Sequence, residues 1–304
     1  FLTTTFPLLI QTVRTLVKNG VPDLAIIQMP CPITKGLPVL PLLRALDIPT
    51  ILDFGDPYWR HGQFGLYTFL SHKIAYLQAR SSLLITSPSK LMLKIFRGMN
   101  TMFLPNGVNL KLFRPSEHPS NNDLVGFLGI FSERNGSRLI IPTLTRVLKL
   151  GLDVKFLLVG GGEELPKLID EAIKKGVRER MLITGNVRRS EVPKLLSKAR
   201  VLVAPYKESQ ELHFIFPTKV PEMMALKRPV VTASLYEIIT TFSVEKELLV
   251  ARYNSDSYAN KIASLLSDPD YGMEIAEAGY GRILKDFSWR KLAERLLQRL
   301  ARMV

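Results

Sequence analysis

The sequence predicts an α/β protein made of two doubly wound domains, each built on a parallel β-sheet. Short apolar segments alternate along the chain with helical patterns of about 10 to 15 residues, which is typical of strands joined by crossover helices. The alternation stops at the polar segment 116–123 and starts again after it. A length of 304 residues is sufficient for two hydrophobic cores.

The first domain is predicted to extend over residues 1–115. Helical spacing of apolar residues marks three segments, at residues 6–18, 37–46 and 66–77, with Pro41 interrupting the second helix. Short apolar runs predict four strands, at residues 23–28, 49–53, 82–86 and 102–105. Residues 116–123 are then expected to form the linker between the domains.

The second domain is predicted to cover residues 124–285. Its apolar runs predict strands at residues 124–128, 154–159, 181–184, 200–204 and 229–232. Between them, helical patterns occupy residues 139–149, 165–174, 192–199 and 220–225. Residues 286–304 follow as a separate segment, in which leucines at helical spacing predict a last helix over residues 291–303.

Composition and charge narrow the function classes. Lys and Arg number 41 against 27 Asp and Glu, and the net charge of +14 predicts an anionic partner: nucleotide phosphates, nucleic acid or an anionic membrane face. The single cysteine, Cys31, excludes an internal disulfide and a cysteine metal cluster, so a reducing, cytoplasmic location is expected. No apolar run reaches the roughly 18 residues of a membrane span, and the first residues lack the pattern of a signal peptide.

Two glycine-containing loops follow predicted strands of the second domain, where ligands of parallel sheets collect. Gly160, Gly161 and Gly162 form the first. Glycines there let the backbone approach a phosphate or ribose, although a tight structural turn fits equally well, and neither a G-x-G-x-x-G nor a P-loop pattern is present. The second runs from Gly129 to residue 136 and contains Arg134, either a diphosphate clamp or a solvated surface side chain.

The segment FPTKVPEMMA (residues 216–225) predicts an anion site at a helix start. Pro221 suits the first helical turn, so Thr218, Lys219 and Val220 are expected there with free N–H groups. A lysine is unfavourable at the positive end of a helix, which indicates an anion bound beside it. Glu222 is predicted to accept hydrogen bonds from ribose hydroxyls, or alternatively only to complement the helix dipole.

A further candidate, Asp56, follows a strand of the first domain. It lies between a glycine and a proline, as turn residues do, and precedes the sugar-binding side-chain types of residues 58–61. No nucleophile elbow is present, and the four histidines are too scattered to indicate a metal site. No metal is therefore expected.

Six segments carry motifs that follow one order along the chain. They are LPNGVNLKLF (residues 104–113) with Pro115, LVGGGE (158–163), ITGNV (183–187) before Glu191, VAP (203–205), FPTKVPEMMALKRPVV (216–231) and DFSW (286–289). Together they resemble the motifs of the family 4 retaining glycosyltransferases, in particular a subgroup with P-x-K before a glutamate. The resemblance implies the GT-B fold: two Rossmann-like domains that face a cleft, with the C-terminal helix packing back on the first domain.

The resemblance also implies an activity. It is metal-independent transfer of a hexosyl group from a UDP- or GDP-type nucleotide sugar to a glycan or lipid-linked acceptor, with no separate cofactor. By position, Glu222 would hold the donor ribose, Lys219 with the backbone of Thr218 and Val220 the diphosphate, and Val187 the base.

Further roles carry over to both domains. Arg134 and Asn135 fall where a basic residue stabilises the departing diphosphate, and Gly129 and Gly161 belong to the loops that approach the donor. Asp56 falls beside a first-domain residue that touches the transferred sugar. The positive charge adds an expected peripheral contact with the inner face of an anionic membrane.

Departures from the family pattern keep other functions open. Phe214 stands at the first position of the family's E-x7-E pair, and Asn135 stands where a lysine is usual. A relative with a decayed donor site that acts as a binding protein is therefore an alternative, and a nucleotide-sugar epimerase is another. Nucleic-acid binding is supported by charge only. The resemblance also implies that the first domain starts with a strand and a glycine-rich loop; the first visible strand here follows a helix, so we expect the sequence to lack that element.

Overall fold

The computed structural model describes residues 2–29, 37–55, 66–116 and 124–303. The chain forms two compact units. The first consists of Phe1–Pro105 with His213–Phe216, and the second of Asn106–Leu212 with Pro217–Val304. Within the described residues, no helix combines the length and the apolar character that a membrane span requires.

The first unit is a four-stranded parallel sheet in the order β1-β2-β3-β4. Its elements are α1 (Leu2–Asn19), β1 (Ala25–Gln28), α2 (Leu37–Ala45), β2 (Thr50–Asp53), α3 (Leu66–Ala79), β3 (Leu84–Ser87), α4 (Lys90–Leu93) and β4 (Thr101–Phe103). A short 3-10 helix, Lys94–Phe96, follows α4. The core lies between sheet and helices, with Leu52, Phe54 and Phe96 fully buried.

The second unit is a six-stranded parallel sheet in the order β10-β9-β8-β5-β6-β7. Its strands are β5 (Leu124–Leu128), β6 (Lys155–Val159), β7 (Met181–Gly185), β8 (Val201–Ala204), β9 (Val230–Ala233) and β10 (Leu249–Ala251). The order reverses between β5 and β8, as in dinucleotide-binding sheets, and such a reversal opens a crevice at the carboxyl ends of the two strands.

Nine helices of the second unit are described, besides short 3-10 turns. They are α5 (Ile140–Lys149), α6 (Leu165–Lys174), α7 (Val192–Leu196), α8 (Gln210–His213), α9 (Lys219–Met224), α10 (Tyr236–Ile239), α11 (Ser255–Ser267), α12 (Pro269–Asp286) and α13 (Trp289–Leu300). The last residue of α8, His213, is grouped with the first unit. The inner strands β5, β8 and β9 are almost wholly buried because helices cover both faces of the sheet, whereas the edge strand β7 is only partly buried.

The units divide at Pro105, whereas the sequence placed the end of the first domain at residue 115. Two contacts hold the following residues in the second unit. The Val108 N–H donates to the Phe287 carbonyl at 2.7 Å, and Gly107 packs so closely on Trp289 that a Cβ there would lie 2.6 Å from its ring. Of the predicted linker, residues 117–123 lie outside the described residues.

Two further differences concern helices. Pro41 does not interrupt α2, because it lies in the first turns, where its missing N–H removes only one helical bond. The long helices α11 and α12 were not assigned from the sequence; Asn254 and Asp268 cap them by accepting hydrogen bonds from the Ser257 and Tyr271 N–H groups. Helix α13 is part of the second unit, and its packing on the first domain stays a prediction.

Candidate functional site

Three loops that follow strands of the second unit pack backbone against backbone. The Gly129 N–H donates to the Val159 carbonyl at 3.0 Å, and the Gly160 N–H donates to the Gly185 carbonyl at 3.1 Å. At Gly160, φ is +129° and a Cβ would lie 2.1 Å from the Gly129 carbonyl oxygen. No side chain fits there, so bare backbone forms this edge of the sheet.

The loop after β5 is also anchored to the loop after β8, on the other side of the strand-order reversal. Gly136 has a φ of +71°, and a Cβ on it would lie 1.3 Å from the Pro205 carbonyl oxygen. The Lys207 N–H donates to the Arg134 carbonyl at 3.0 Å. These contacts fix the positions of the loops that line the crevice. In a parallel sheet with such a reversal of strand order, the ligand is expected to bind in this crevice.

The side chain of Lys219, the first residue of α9, extends toward the loops that follow β5 and β8. The Nζ atom lies 4.3 Å from the centroid of the Tyr206 ring and 3.4 Å from Asn135 Oδ1, and a Cβ on Gly129 would lie 3.2 Å from it. Burial, together with repulsion from Arg134, lowers the pKa of Lys219 to about 7. A bound anion would favour its charged form.

Asn135 is oriented by the loop in which it lies. Its Nδ2 donates to the Ile130 carbonyl at 2.9 Å and to Ser132 Oγ at 3.0 Å, which turns Oδ1 to the Lys219 ammonium. In the family pattern, a lysine at position 135 supplies a positive charge. Here Asn135 can instead hold the ammonium group of Lys219 in position.

Glu222 lies one turn of α9 beyond the lysine. It is only 6% exposed, and its Oε1 accepts a hydrogen bond from Arg189 Nη2. The guanidinium of Arg189 also lies 5.2 Å from the centroid of the Phe113 ring. Burial raises the pKa of Glu222, while the charge and hydrogen bond of Arg189 oppose that rise. Arg189 is thus a cationic partner of the carboxylate, and its side chain is 65% exposed.

One expectation about this helix start is wrong. The Val220 N–H is not free, because it donates to the Pro217 carbonyl at 3.1 Å. Thr218 already has helical dihedral angles, so the first helical hydrogen bond forms earlier than the sequence indicated. Thr218 itself is exposed and makes no side-chain cap.

The other predicted residues are accounted for as follows. A Cβ on Gly161 would lie 2.8 Å from Asn186 Oδ1, so the loops after β6 and β7 meet there. Val187 is half-buried in that second loop, two positions before Arg189. Arg134 is exposed and lies near enough to Lys219 and Tyr206 to affect the pKa of both. Asp56 lies outside the described residues.

Two residues of the site were missed by the sequence analysis. Tyr206 lies beneath the Lys219 ammonium, and its only sequence signal is that it follows the VAP segment after β8. The pairing of Arg189 with Glu222 joins residues 33 positions apart and has no local signal in the sequence. Among the described residues there is no cluster of three potential metal ligands.

Residues 122–268, which make up most of this sheet and its helices, match a family model described as "Glycosyl transferases group 1". The match covers just under half of the chain, and the second unit therefore resembles a glycosyl transferases group 1 domain. This match supports the resemblance identified from the motifs.

The curated relatives of the chain include a transferase and a synthase. The alpha-D-kanosaminyltransferase of Streptomyces kanamyceticus is 23% identical over 155 residues, which cover 51% of this chain and 39% of that protein. The alpha-maltose-1-phosphate synthase of Mycolicibacterium smegmatis is 25% identical over 198 residues, which cover 59% of this chain and 47% of that protein. The alignments thus span less than half of each relative.

Among solved structures, HepE of Anabaena in complex with UDP has a TM-score of 0.80 to this chain. The superposition covers 97% of this chain and 82% of HepE, at 17% sequence identity. The chain therefore has the two-domain GT-B fold that the motifs implied.

Proposed function

We propose that this protein is a metal-independent, retaining glycosyltransferase, which moves a hexosyl group from a nucleotide-diphosphate sugar to a glycan or lipid-linked acceptor. One observation carries the proposal: the Lys219 ammonium, the Gly129 backbone and Asn135 meet at the strand-order reversal of a unit that resembles a glycosyl transferases group 1 domain, with the Glu222 carboxylate one helical turn away.

The diphosphate of the donor is assigned to Lys219 and the bare backbone after β5. Two cations lie near each other there, since the charge of Arg134 contributes to the lowered pKa of Lys219. An anion between these groups relieves that repulsion and restores the full charge of Lys219. The Gly129 backbone, without a Cβ, leaves room for phosphate oxygens beside the ammonium.

The nucleoside is assigned to Glu222 and the loop after β7. A buried carboxylate is a strong acceptor for ribose hydroxyls, and Val187, in the same loop as Arg189, offers an apolar contact for the base. The HepE structures in complex with UDP and with UDP-glucose support a uridine nucleotide as the donor.

The chemistry follows from charge. Breaking the bond between sugar and phosphate places negative charge on the departing diphosphate. A positioned cation therefore stabilises the transition state, in which this charge develops, more than it stabilises the ground state. Loss of Lys219, as in Lys219→Met, is expected to lower the turnover of the sugar donor by about 100-fold. Asp56 is proposed as the first-domain contact to the transferred sugar.

The test is calorimetry with UDP and GDP, combined with an assay for nucleotide release from UDP- and GDP-sugars. Lys219→Met and Glu222→Ala should lose binding and turnover, whereas the exposed residues Lys174 and Glu179, changed in the same way, should not. Failure of both nucleotides to bind contradicts the proposal and favours a binding protein with a decayed donor site. Conversion of the donor to its epimer without transfer would favour the epimerase.

A further inference from the structure

Helix α3 of the first unit presents a row of large apolar side chains to solvent. Phe69 is 58% exposed, Leu70 43%, Tyr76 42% and Leu77 64%. Their spacing of one, seven and eight positions from Phe69 places all four on one face of the helix. Exposed apolar residues that are scattered singly are ordinary, whereas a continuous row along a helix indicates a contact surface.

Two basic residues lie on the same face. Lys73 is one turn beyond Phe69, with its Nζ 5.6 Å from the centroid of the Phe69 ring, and Arg80 follows the last turn of the helix. The opposite face, with Ser71, Ala75 and Ala79, is buried against the unit. Helix α3 contains no Asp or Glu, so its outward face combines apolar and positive groups only.

A shallow groove adjoins this face. It has a volume of about 170 Å³ and lies between α2 and α3. Its lining residues are Leu40, Pro41, Arg44, Ile74, Leu77 and Gln78. The groove is therefore mostly apolar, with the cation of Arg44 at its side. This combination suits the part of an aliphatic chain that lies next to an anionic head group.

The surrounding sequence has the same charge bias. No acidic residue occurs between Asp56 and Glu117, while eight Lys and Arg do. A positive surface of this kind attracts anions and repels a second copy of itself, because a symmetric dimer contact would place like charges opposite each other. An anionic surface that also accepts apolar side chains satisfies both properties of the helix.

We propose that the outward face of α3, defined by Phe69, Leu70, Lys73, Tyr76, Leu77 and Arg80, docks on an anionic lipid bilayer. The apolar side chains enter the boundary between head groups and acyl chains, and the two cations lie against lipid phosphates. The groove between α2 and α3 receives the part of an acyl chain next to its head group. This inference does not depend on the activity proposed above.

Flotation of the full chain with lipid vesicles tests the proposal. Vesicles of phosphatidylcholine alone are compared with vesicles that also contain phosphatidylglycerol, and binding is expected to the second kind only. Phe69→Ser with Leu77→Ser should lower the partition coefficient by about tenfold per residue. Lys73→Gln with Arg80→Gln should lower it by about fivefold per charge and flatten its dependence on salt.

Matched variants in the second unit provide the controls. Ile173 and Met273, which are 60% and 59% exposed, are changed together to serine, and Lys174 and Lys175 are changed to glutamine. These variants should float like the wild type. Circular dichroism and UDP calorimetry on every variant show whether the fold and the donor site are retained.

Three results would overturn the proposal. They are equal binding to neutral and anionic vesicles, equal losses in the control variants, and no binding to either kind of vesicle. A dimer in analytical ultracentrifugation that the Phe69→Ser and Leu77→Ser changes dissociate would instead assign the face to a second copy of the chain.

Discussion

The two parallel sheets differ in the contacts that join the carboxyl ends of neighbouring strands. In the first unit, a side chain joins neighbouring strand ends: Ser87 Oγ donates to the Phe54 carbonyl at 2.7 Å and accepts from the Ser89 N–H at 3.1 Å. In the second unit, the loops after β5 and β6 meet through glycine backbone, where no Cβ fits at Gly160. Hydroxyl groups fill the strand end in the first unit, whereas glycine backbone without a Cβ leaves space for a ligand such as a phosphate in the second.

The largest effect is expected from adding one methyl group to the glycine contacts of the second unit. Gly136→Ala places a Cβ 1.3 Å from the Pro205 carbonyl oxygen, at a φ of +71°. We expect a loss of about 3 kcal/mol or more in the free energy of unfolding, measured by urea denaturation. Gly151 has a φ of +84° and open space around it, so Gly151→Ala should lose only about 1 kcal/mol. Equal losses would refute the close packing at Gly136.

A smaller effect is expected in the first unit. Ser87→Ala leaves the buried Phe54 carbonyl without the hydroxyl that donates to it, which should cost about 1 to 2 kcal/mol of unfolding free energy. Affinity for UDP should not change, because the nucleotide is assigned to the second unit alone. A lower affinity for UDP in a Ser87→Ala variant that is folded at the assay temperature would contradict the assignment of the nucleotide to the second unit alone.

The binding of UDP is expected to depend on pH through Lys219. Its pKa of about 7 means that the free protein carries a neutral amine above that pH, whereas the diphosphate requires the ammonium. Affinity should therefore be greatest below pH 7 and fall above it, by up to about tenfold per pH unit. Lys219→Arg keeps its charge throughout this range, so calorimetry should show no such fall in the variant. A parallel pH dependence in both proteins would contradict the assignment.

The smallest effect concerns the partner of Glu222. Burial raises the pKa of Glu222 and Arg189 opposes that rise, so Arg189→Ala should raise the pKa further. Since ribose binding uses the carboxylate, the loss of UDP affinity on acidification should begin at a higher pH in this variant. Arg188, which pairs with Glu191 instead, provides the matched control. An identical shift in Arg188→Ala would remove the role given to Arg189.

Apolar patterning was sufficient to predict nine of the ten strands in the part of the chain that the structure describes, and the division into two sheets. The strand Leu249–Ala251, within a four-residue apolar run at residues 248–251, was missed. Helix α9 was predicted from Pro221 and the apolar residues around it, and the structure moves its start by one position. Local patterns therefore located the elements that carry the site.

Contacts between distant residues could not be predicted in the same way. The carboxylate of Glu222 and the guanidinium of Arg189 come from separate strand–helix connections, and Tyr206 reaches Lys219 from the end of β8. The spacing of residues within one segment carries no information on such pairs. Order along the chain, by contrast, was informative, since six motifs in sequence led to the family that residues 122–268 match.

A crystal structure of the chain with UDP tests the central claim most directly. The account predicts the diphosphate between the Gly129 backbone and the Lys219 ammonium, with ribose hydroxyls donating to Glu222 and Arg189 moved from its present contact. UDP bound elsewhere in the chain, or bound to these loops with its phosphates remote from Lys219, would contradict it.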